Sequence, residues 1–362
     1  MRQALLAAAL TLASTGALAQ NVTLYGIVGT GIEYLNHADV QGNSVVRMPN
    51  STAGLVPSRW GMRGTEDLGN GLKAVFNLES GLGLDTGMSG QGNRLFGRAA
   101  WVGLSSDWGT VLLGRQSNMT FFATVDSDTI GPAVFGLASL DPYMSATRSD
   151  NAISYRGTFS GWTAGATYST GRSVVASGGP AATGCAGEVP GDSKACRQVT
   201  AMLKYDFGPG GIVAGYDQMR GGPGSLDGLT NSDNSDTRMI ANGYYRIGSL
   251  KVGGGWIGRI SRAAISRNEY NLFYLGANYA FSTALSLDTQ VGRLNNKTTD
   301  ARSTIATARL VYALSKRTSV YGQVGYLDNN SNAAVTLSSG QSYAVAKGVN
   351  QVGTIFGMQH TF

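Results

Sequence analysis

The chain has 362 residues, of which 52 are glycine and only 14% are charged, and its formal net charge is +6. Much of the positive charge is arginine within predicted strands, not in a basic tail, which argues against nucleic acid as a partner. The mean hydropathy is −0.06. This composition is unusual for a soluble secreted protein but is expected of a membrane β-barrel, because alternating strands hide their apolar surface from a hydropathy window.

The first 19 residues have the three parts of a secretory signal peptide. Arg2 precedes an apolar stretch from Ala4 to Leu12, and Ala17-Leu18-Ala19 provides an A-x-A cleavage site. The apolar stretch is shorter than the ~20 residues that a transmembrane helix needs. We therefore predict a cleaved signal peptide at 1–19 and one β-barrel domain at 20–362.

Alternating strands begin directly after this segment. The stretch 21–35 alternates with a period of two, and its glycine and β-branched residues disfavour a helix. The next strand, within 58–68, places Trp60 on one face and Arg59 and Arg63 on the other. An arginine that faced lipid at mid-membrane would cost ~2–4 kcal/mol, so we expect both arginines in the barrel lumen.

The stretch 117–150 is the longest that cannot be interpreted as a strand. It contains Asp126, Asp128 and Asp141, and the breaker pairs Gly131-Pro132 and Asp141-Pro142 interrupt any regular pattern. A structureless loop of this length within a compact domain is usually functional. We expect it to fold into the lumen and narrow the pore.

Long polar loops and short turns alternate along the rest of the chain. The segments between them number about sixteen, each near the ~9–11 residues of a tilted membrane strand. The predicted fold is therefore all-β, a 16-stranded antiparallel transmembrane barrel whose long third loop enters the lumen. Aromatic residues fall on the apolar parity, mostly near strand ends, as in interfacial girdles: Tyr34, Trp60, Trp101, Trp162, Tyr168, Tyr205, Phe207, Trp256, Tyr279, Tyr312 and Tyr326.

The last alternating segment runs from Gly348 to Phe362. A membrane barrel must close so that no strand edge is left unpaired in lipid. We therefore expect this segment to pair with the first strand.

The two cysteines, Cys185 and Cys196, lie in a Gly/Pro/Ala-rich segment. In an oxidising compartment we expect them to form a disulfide that closes one loop. No histidine lies nearby, so a metal site is not expected there. His37 and His360 are the only histidines, and neither has the neighbours of a catalytic triad. We predict no enzyme activity and no cofactor.

Several segments together resemble the Gram-negative general porins, specifically the trimeric type of β-proteobacteria. The matching segments follow one another along the chain: VTLYG at 22–26, SRWGMRGTEDLGNGLKAVFNLESG at 58–81, RLFGRAAWVGL at 94–104, WGTVLLGRQ at 108–116, NAISYR at 151–156, YALSKRTSVYGQ at 312–323 and GMQHTF at 357–362. Each is a weak signal alone, but together they are specific.

The resemblance implies a homotrimer in the outer-membrane lipid that passes ions and small hydrophilic solutes. It also implies an arginine cluster on the barrel wall, here Arg59, Arg98 and Arg148, opposite carboxylates of the third loop. Asp128 matches that acidic position, with Asp126 and Asp141 as further candidates. A terminal Phe on an alternating strand, here Phe362, resembles the assembly signal of outer-membrane proteins.

Two positions depart from the family pattern. Relatives often carry P-E-F after the acidic loop residue, where this chain has Pro132-Ala133-Val134-Phe135, and often have Asp where the first strand has Gly29. Both changes make the lumen less acidic. Rings of Arg or Lys favour anions. With Arg63 included, about four wall arginines oppose about three aspartates, which predicts a weak anion preference.

Three alternatives remain open. An outer-membrane enzyme would need a Ser/His or Asp/His constellation near the rim. A surface adhesin or receptor barrel would use its long loops, such as 170–197, to bind other proteins. A channel selective for one anion or sugar is compatible with the arginines, although no continuous aromatic track follows the inward parity.

Overall fold

The computed structural model describes residues 21–49, 54–172, 185–225, 228–339 and 343–362. The predicted signal peptide at 1–19 lies outside the described residues. Within the described ranges, no helix is long and apolar enough to cross a membrane.

Sixteen long strands and one short strand, β2, form a single closed sheet in which every pairing is antiparallel. The strands are β1 (Asn21–Leu35), β2 (Val45–Arg47), β3 (Arg59–Gly69), β4 (Leu72–Gly81), β5 (Ala99–Ser106), β6 (Gly109–Ser117), β7 (Arg148–Phe159), β8 (Trp162–Gly171), β9 (Gln198–Phe207), β10 (Gly210–Arg220), β11 (Ser235–Ile247), β12 (Leu250–Arg262), β13 (Arg267–Ala280), β14 (Leu285–Asn296), β15 (Ala301–Ala313), β16 (Thr318–Asn329) and β17 (Gln351–Thr361). The sixteen-stranded barrel predicted from the sequence is confirmed.

Among the described residues, helical structure consists of short segments in two connections. The turn α1 (Gly90–Asn93) follows β4, and α2 (Met119–Thr124), α3 (Leu137–Leu140) and a 3-10 turn (Pro142–Ser145) lie between β6 and β7. The Asn118 side chain caps α2 by accepting from the Thr120 N–H. The Asp141 carboxylate caps the 3-10 turn in the same way, accepting from Tyr143 N–H.

The barrel closes between the first and last strands, as the sequence predicts. Ile27 to Leu35 of β1 pair with Gly353 to Thr361 of β17. Gly26 and Phe362 exchange two backbone hydrogen bonds of 3.1 and 3.0 Å. The other edge of β1 pairs with β2 and β3. The long strands therefore form a closed barrel in which each has a neighbour on both sides, as a membrane requires.

The two faces of the sheet have opposite character. Large apolar side chains are exposed on alternate positions of the outer face, for example Leu275 on β13 and Phe356 on β17. Aromatic side chains stack near the short turns, including Trp108 with Tyr155 and Trp162 with Tyr205. An apolar band bordered by aromatic side chains is the outer surface of a lipid-embedded barrel.

Trp101 is an exception to the predicted outer girdle. It pairs in register with Asn77, whose side chain accepts a hydrogen bond from the inward-facing Tyr25 hydroxyl. The adjacent Val102 is instead 56% exposed on the outer face. Trp101 therefore points into the lumen, and its assignment to the outer girdle from the sequence was wrong by one position in the alternation.

Residues 118–147, which we call the inner loop, lie inside the barrel against its wall. Wall glycines make room for this approach. A side chain at Gly276 of β13 would lie 2.0 Å from the Thr129 hydroxyl, and one at Gly353 of β17 would lie 2.6 Å from the Phe135 ring. Phe135 is fully buried. The position of the inner loop therefore depends on glycine at wall positions far away in sequence.

The predicted disulfide is present. Cys185 and Cys196 are joined, with their Cα atoms 5.3 Å apart, in the connection between β8 and β9. The Cys196 N–H donates to the carbonyl of Gly221 at 2.9 Å, which ties this connection to the one after β10.

Candidate pore constriction

The inner loop is held to the wall by hydrogen bonds to successive strands. Its backbone and hydroxyl groups bond to side chains or carbonyls on β9, β10, β11, β13, β14, β15 and β16, at Thr200, Asp217, Asn242, Tyr274, Thr289, Arg309 and Gln323. Arg309 bonds the Ile130 carbonyl at 2.9 Å while its guanidinium pairs with Asp288 at 2.7 Å. A buried backbone group needs such a partner because water cannot reach it.

A buried ion pair attaches the inner loop near its C-terminal end. Asp141 lies 3.0 Å from Arg238 of β11, whose side chain is fully buried. Arg238 also contacts Asp236 at 2.8 Å and lies 4.4 Å above the Tyr143 ring. Burial raises the pKa of Asp141, but the positive charges of Arg238 and Arg259 outweigh it and hold that pKa below its usual range.

A cavity of about 500 Å³ separates the inner loop from the wall strands β3 to β7. Four arginines line it: Arg59, Arg98, Arg148 and Arg156. Glu79 of β4 is the only carboxylate among the described residues that line the cavity. The wall side therefore carries an excess of three positive charges.

Glu79 compensates only part of this charge. Its carboxylate lies 2.6 Å from the Arg98 Nε and 3.5 Å from the Arg59 Nε. In the described parts of the chain, no Asp or Glu lies within ion-pair distance of Arg148 or Arg156. Arg148 donates to the Ser145 carbonyl at 3.3 Å, and Arg156 lies 3.9 Å above the ring of Phe122. Two guanidinium groups at the constriction thus carry uncompensated charge.

The loop side of the same cavity is mostly apolar. Its apolar side chains are Phe121, Phe122, Val125, Pro132 and Met144, and the polar residues Ser145 and Thr147 line it next to β7. Val125 is 46% exposed in the lumen. A positively charged wall therefore opposes a hydrophobic surface.

The three loop aspartates are not placed opposite the arginines, contrary to the expectation from the sequence. Asp126 pairs with Lys204 of β9 at 2.6 Å, and Asp141 pairs with Arg238. Asp128 accepts from Gln290 at 2.8 Å and from the Gly131 N–H at 3.0 Å. Each carboxylate is directed to the part of the wall that anchors the loop; the buried Asp128 and Asp141 need donors there, and the partly exposed Asp126 finds the Lys204 ammonium.

The net shift in the pKa of Asp128 is opposite to that of Asp141. Desolvation raises the pKa of Asp128 above the usual value, and the hydrogen bonds from Gln290 and the Gly131 amide oppose that effect only in part. Unlike Asp141, Asp128 has no ion-pair partner among the described residues.

Two further arginines, Arg63 and Arg115, do not line this cavity. Arg63 lies over the Tyr25 ring at 5.1 Å on the lumenal face, outside the cavity of Arg59. Arg115 forms an ion pair with Asp150 and donates to the Gly97 carbonyl at 2.7 Å. A register shift between Gly114 and Gln116 interrupts the alternation of β6 at this position.

Several residues of the constriction were not predicted from the sequence. Arg156 and Glu79 both lie on the inward parity of strands identified from the sequence, so the alternation alone could have indicated them. No such pattern indicated the apolar loop residues, because the direction of side chains in a loop does not follow a regular alternation. Within the described residues, no group of three or more His, Cys, Asp or Glu side chains could hold a metal ion.

The fold and the cavity define a transmembrane β-barrel channel narrowed by an internal loop. A profile of the family described as Gram-negative porin matches residues 4–332, and the chain belongs to that family. It is therefore an outer-membrane diffusion channel and not an enzyme.

Individual relatives agree with this assignment. An outer membrane porin protein of Bordetella pertussis is 32% identical, with 96% of this chain and 99% of the relative covered. The outer membrane porin protein 32 of Delftia acidovorans is 30% identical over the full length of both chains. Among solved structures, an anion-selective porin from Comamonas acidovorans is 26% identical, with a TM-score of 0.77 over 95% of this chain and 100% of that one.

Proposed function

We propose that this porin is a weakly anion-selective channel for ions and small hydrophilic solutes. The observation that carries the proposal is the pair of guanidinium groups at Arg148 and Arg156 that no described carboxylate neutralises. The solved porin from Comamonas acidovorans, described as anion-selective, supports it by similarity. Arg59 and Arg98 contribute less net charge because they share Glu79.

The expected selectivity is weak for a physical reason. Two unit charges 4 Å apart interact with about 1 kcal/mol in bulk water. Salt in the lumen screens charges over a Debye length of ~8–10 Å. An excess of a few charges therefore changes the ratio of anion to cation permeability several-fold, without excluding cations.

The zero-current potential of the purified channel across a KCl gradient tests this proposal. Chloride should be favoured, and Arg148→Ser combined with Arg156→Ser should reduce the permeability ratio toward unity. Arg63→Ser is the matched control, because Arg63 is lumenal but does not line the cavity. Cation preference in the unmodified protein would refute the proposal. An equal effect of the Arg63 variant would assign selectivity to the whole lumen.

We further propose a homotrimer embedded in outer-membrane lipid. Support comes from the exposed apolar outer face, including Leu310 and Phe356, and from the resemblance to trimeric porins. Conductance should appear in groups of three equal steps, and chemical cross-linking in detergent should give a trimer. Single independent steps with a monomeric cross-linking pattern would contradict this.

The remaining expectations concern export and assembly. We propose cleavage after Ala19 and a role for Phe362 as the assembly signal. The Phe362 ring lies directly over Gly26, where an added Cβ would be 2.3 Å away. N-terminal sequencing of the mature protein tests the first. Deletion of Phe362, with outer-membrane yield as the readout, tests the second.

A further inference from the structure

The cavity at the constriction combines two chemistries that a simple ion path does not need. On the wall are the unpaired guanidinium groups of Arg148 and Arg156, and on the loop are Phe121, Val125 and Met144. Trp101 adds an aromatic side chain from the wall. The volume of about 500 Å³ lies within the ~300–1,000 Å³ typical of small-molecule sites.

We propose that this cavity is a binding site for amphipathic organic anions, in particular small aromatic carboxylates. The proposal rests on the anion preference proposed above and names the class of solute that the same site retains. The carboxylate binds the Arg148 guanidinium, and the ring packs on the apolar side chains of the inner loop.

The carboxylate end is recognised by geometry as well as by charge. A guanidinium presents N–H donors in a planar arrangement that matches a carboxylate. Arg98 and Arg59 already use Nε toward Glu79, whereas Arg148 has only the Ser145 carbonyl as a described partner of its guanidinium, at 3.3 Å. Arg148 is therefore the principal carboxylate-binding group, whereas Arg156, eight residues further along β7, adds positive charge elsewhere in the cavity.

The apolar side of the cavity distinguishes between organic anions by how strongly water hydrates their rings. A hydroxylated anion must give up hydrogen bonds to water against Phe121 and Met144, which offer none in return. An aromatic ring has no such hydrogen bonds to lose, and its binding removes apolar surface from water. The Phe121 and Phe122 rings already meet edge to face at 5.3 Å, a geometry that a further ring can extend.

Single-channel recordings with three probes test the proposal: benzoate, quinate and benzamide. Benzoate and quinate are six-membered-ring carboxylates of equal charge, but quinate is heavily hydroxylated. Benzamide has the ring without the charge. Each probe is added to the purified channel in KCl, and the concentration that halves the current is measured. Benzoate should require about tenfold less than quinate, equivalent to ~1.4 kcal/mol, and benzamide should not block at that concentration.

Two variants assign the difference to the inner loop. Phe121→Gln and, independently, Met144→Gln should raise the half-blocking concentration of benzoate about three- to tenfold and leave quinate unchanged. Ile265→Gln, at a loop residue that is 97% exposed and outside the cavity, is the control and should have no effect. If one loop variant fails to fold, the other provides the test.

The possible outcomes separate this inference from the proposed function. Equal block by benzoate and quinate, or unchanged benzoate block in both loop variants, would overturn the organic-anion site and leave anion preference intact. Block by benzamide equal to that by benzoate would show ring partitioning without the arginines and would also overturn it. Cation preference in KCl alone would refute the anion-selective channel itself.

Discussion

Replacing Asp141 with Asn should loosen the inner loop while leaving the barrel closed. Asn retains an acceptor for the Tyr143 N–H but loses the charge that pairs with Arg238 through bonds of 3.0 and 3.2 Å. A hydrogen bond to a charged group contributes ~1.5–3 kcal/mol and a neutral one ~0.5–1.5 kcal/mol. Because Arg238 keeps Asp236 as a partner at 2.8 Å, the net cost should be about 2 kcal/mol.

Hydrogen exchange measured by mass spectrometry on peptides from the inner loop tests this value. A loss of about 2 kcal/mol in the free energy of loop opening corresponds to roughly 30-fold faster exchange, at 1.36 kcal/mol per tenfold change. Peptides from the barrel strands should exchange as in the unmodified protein. Unchanged loop exchange would refute the view that the Asp141–Arg238 pair holds the loop in place.

Asp128→Asn is the matched control within the same loop. Its acceptor atom is retained for Gln290 and the Gly131 N–H. Since burial raises the pKa of Asp128, folding disfavours the charge on this carboxylate, and exchange in a variant without that charge should stay equal or become slower. Acceleration equal to that in Asp141→Asn would mean that any change in loop charge has the same effect.

The same pair of residues gives a pH dependence. The pKa of Asp141 is lowered by folding, so its contribution to loop stability is present above the unfolded value of ~3.9 and is lost as pH falls through the lowered folded value. Loop-opening transitions in single-channel recordings should therefore become more frequent in acid below about pH 4. Asp141→Asn should show those transitions already at pH 7, and an identical pH profile for both proteins would contradict this.

Three other changes test separate parts of the structure. Val125→Asp places a carboxylate on the apolar side of the constriction and should lower the ratio of chloride to potassium permeability, measured as zero-current potential; an increase would be incompatible with the proposed charge balance. Gly276→Ala puts a Cβ 2.0 Å from the Thr129 hydroxyl and should speed exchange of the inner loop, whereas Gly322→Ala, whose nearest contact is the Phe356 ring at 3.1 Å, should not. Cys185→Ser removes the disulfide and should cost the connection about 3 kcal/mol of local stability. Hydrogen exchange between β8 and β9 should become faster while ion selectivity stays unchanged. A changed selectivity would place that connection in the ion path.

The sequence by itself determined the barrel. A period of two over each strand separates lipid-facing from lumenal residues, and the need to satisfy every backbone group in lipid requires the first and last strands to pair. The same alternation placed Arg59 and Arg63 on the lumenal face of the wall. It failed at Trp101. Arg98 and Trp101 both line the cavity although a strict alternation would place residues three apart on opposite faces, because β5 begins only at Ala99.

Only the tertiary structure decided which side chains face one another across the pore. The loop carboxylate of Asp141 is directed by Arg238, 97 residues away in sequence, and that of Asp128 by Gln290, 162 residues away. No local pattern encodes such partners, because the direction of a loop side chain follows from the wall that it packs against. That distant packing turns the aspartates away from the constriction and leaves apolar side chains opposite Arg148 and Arg156.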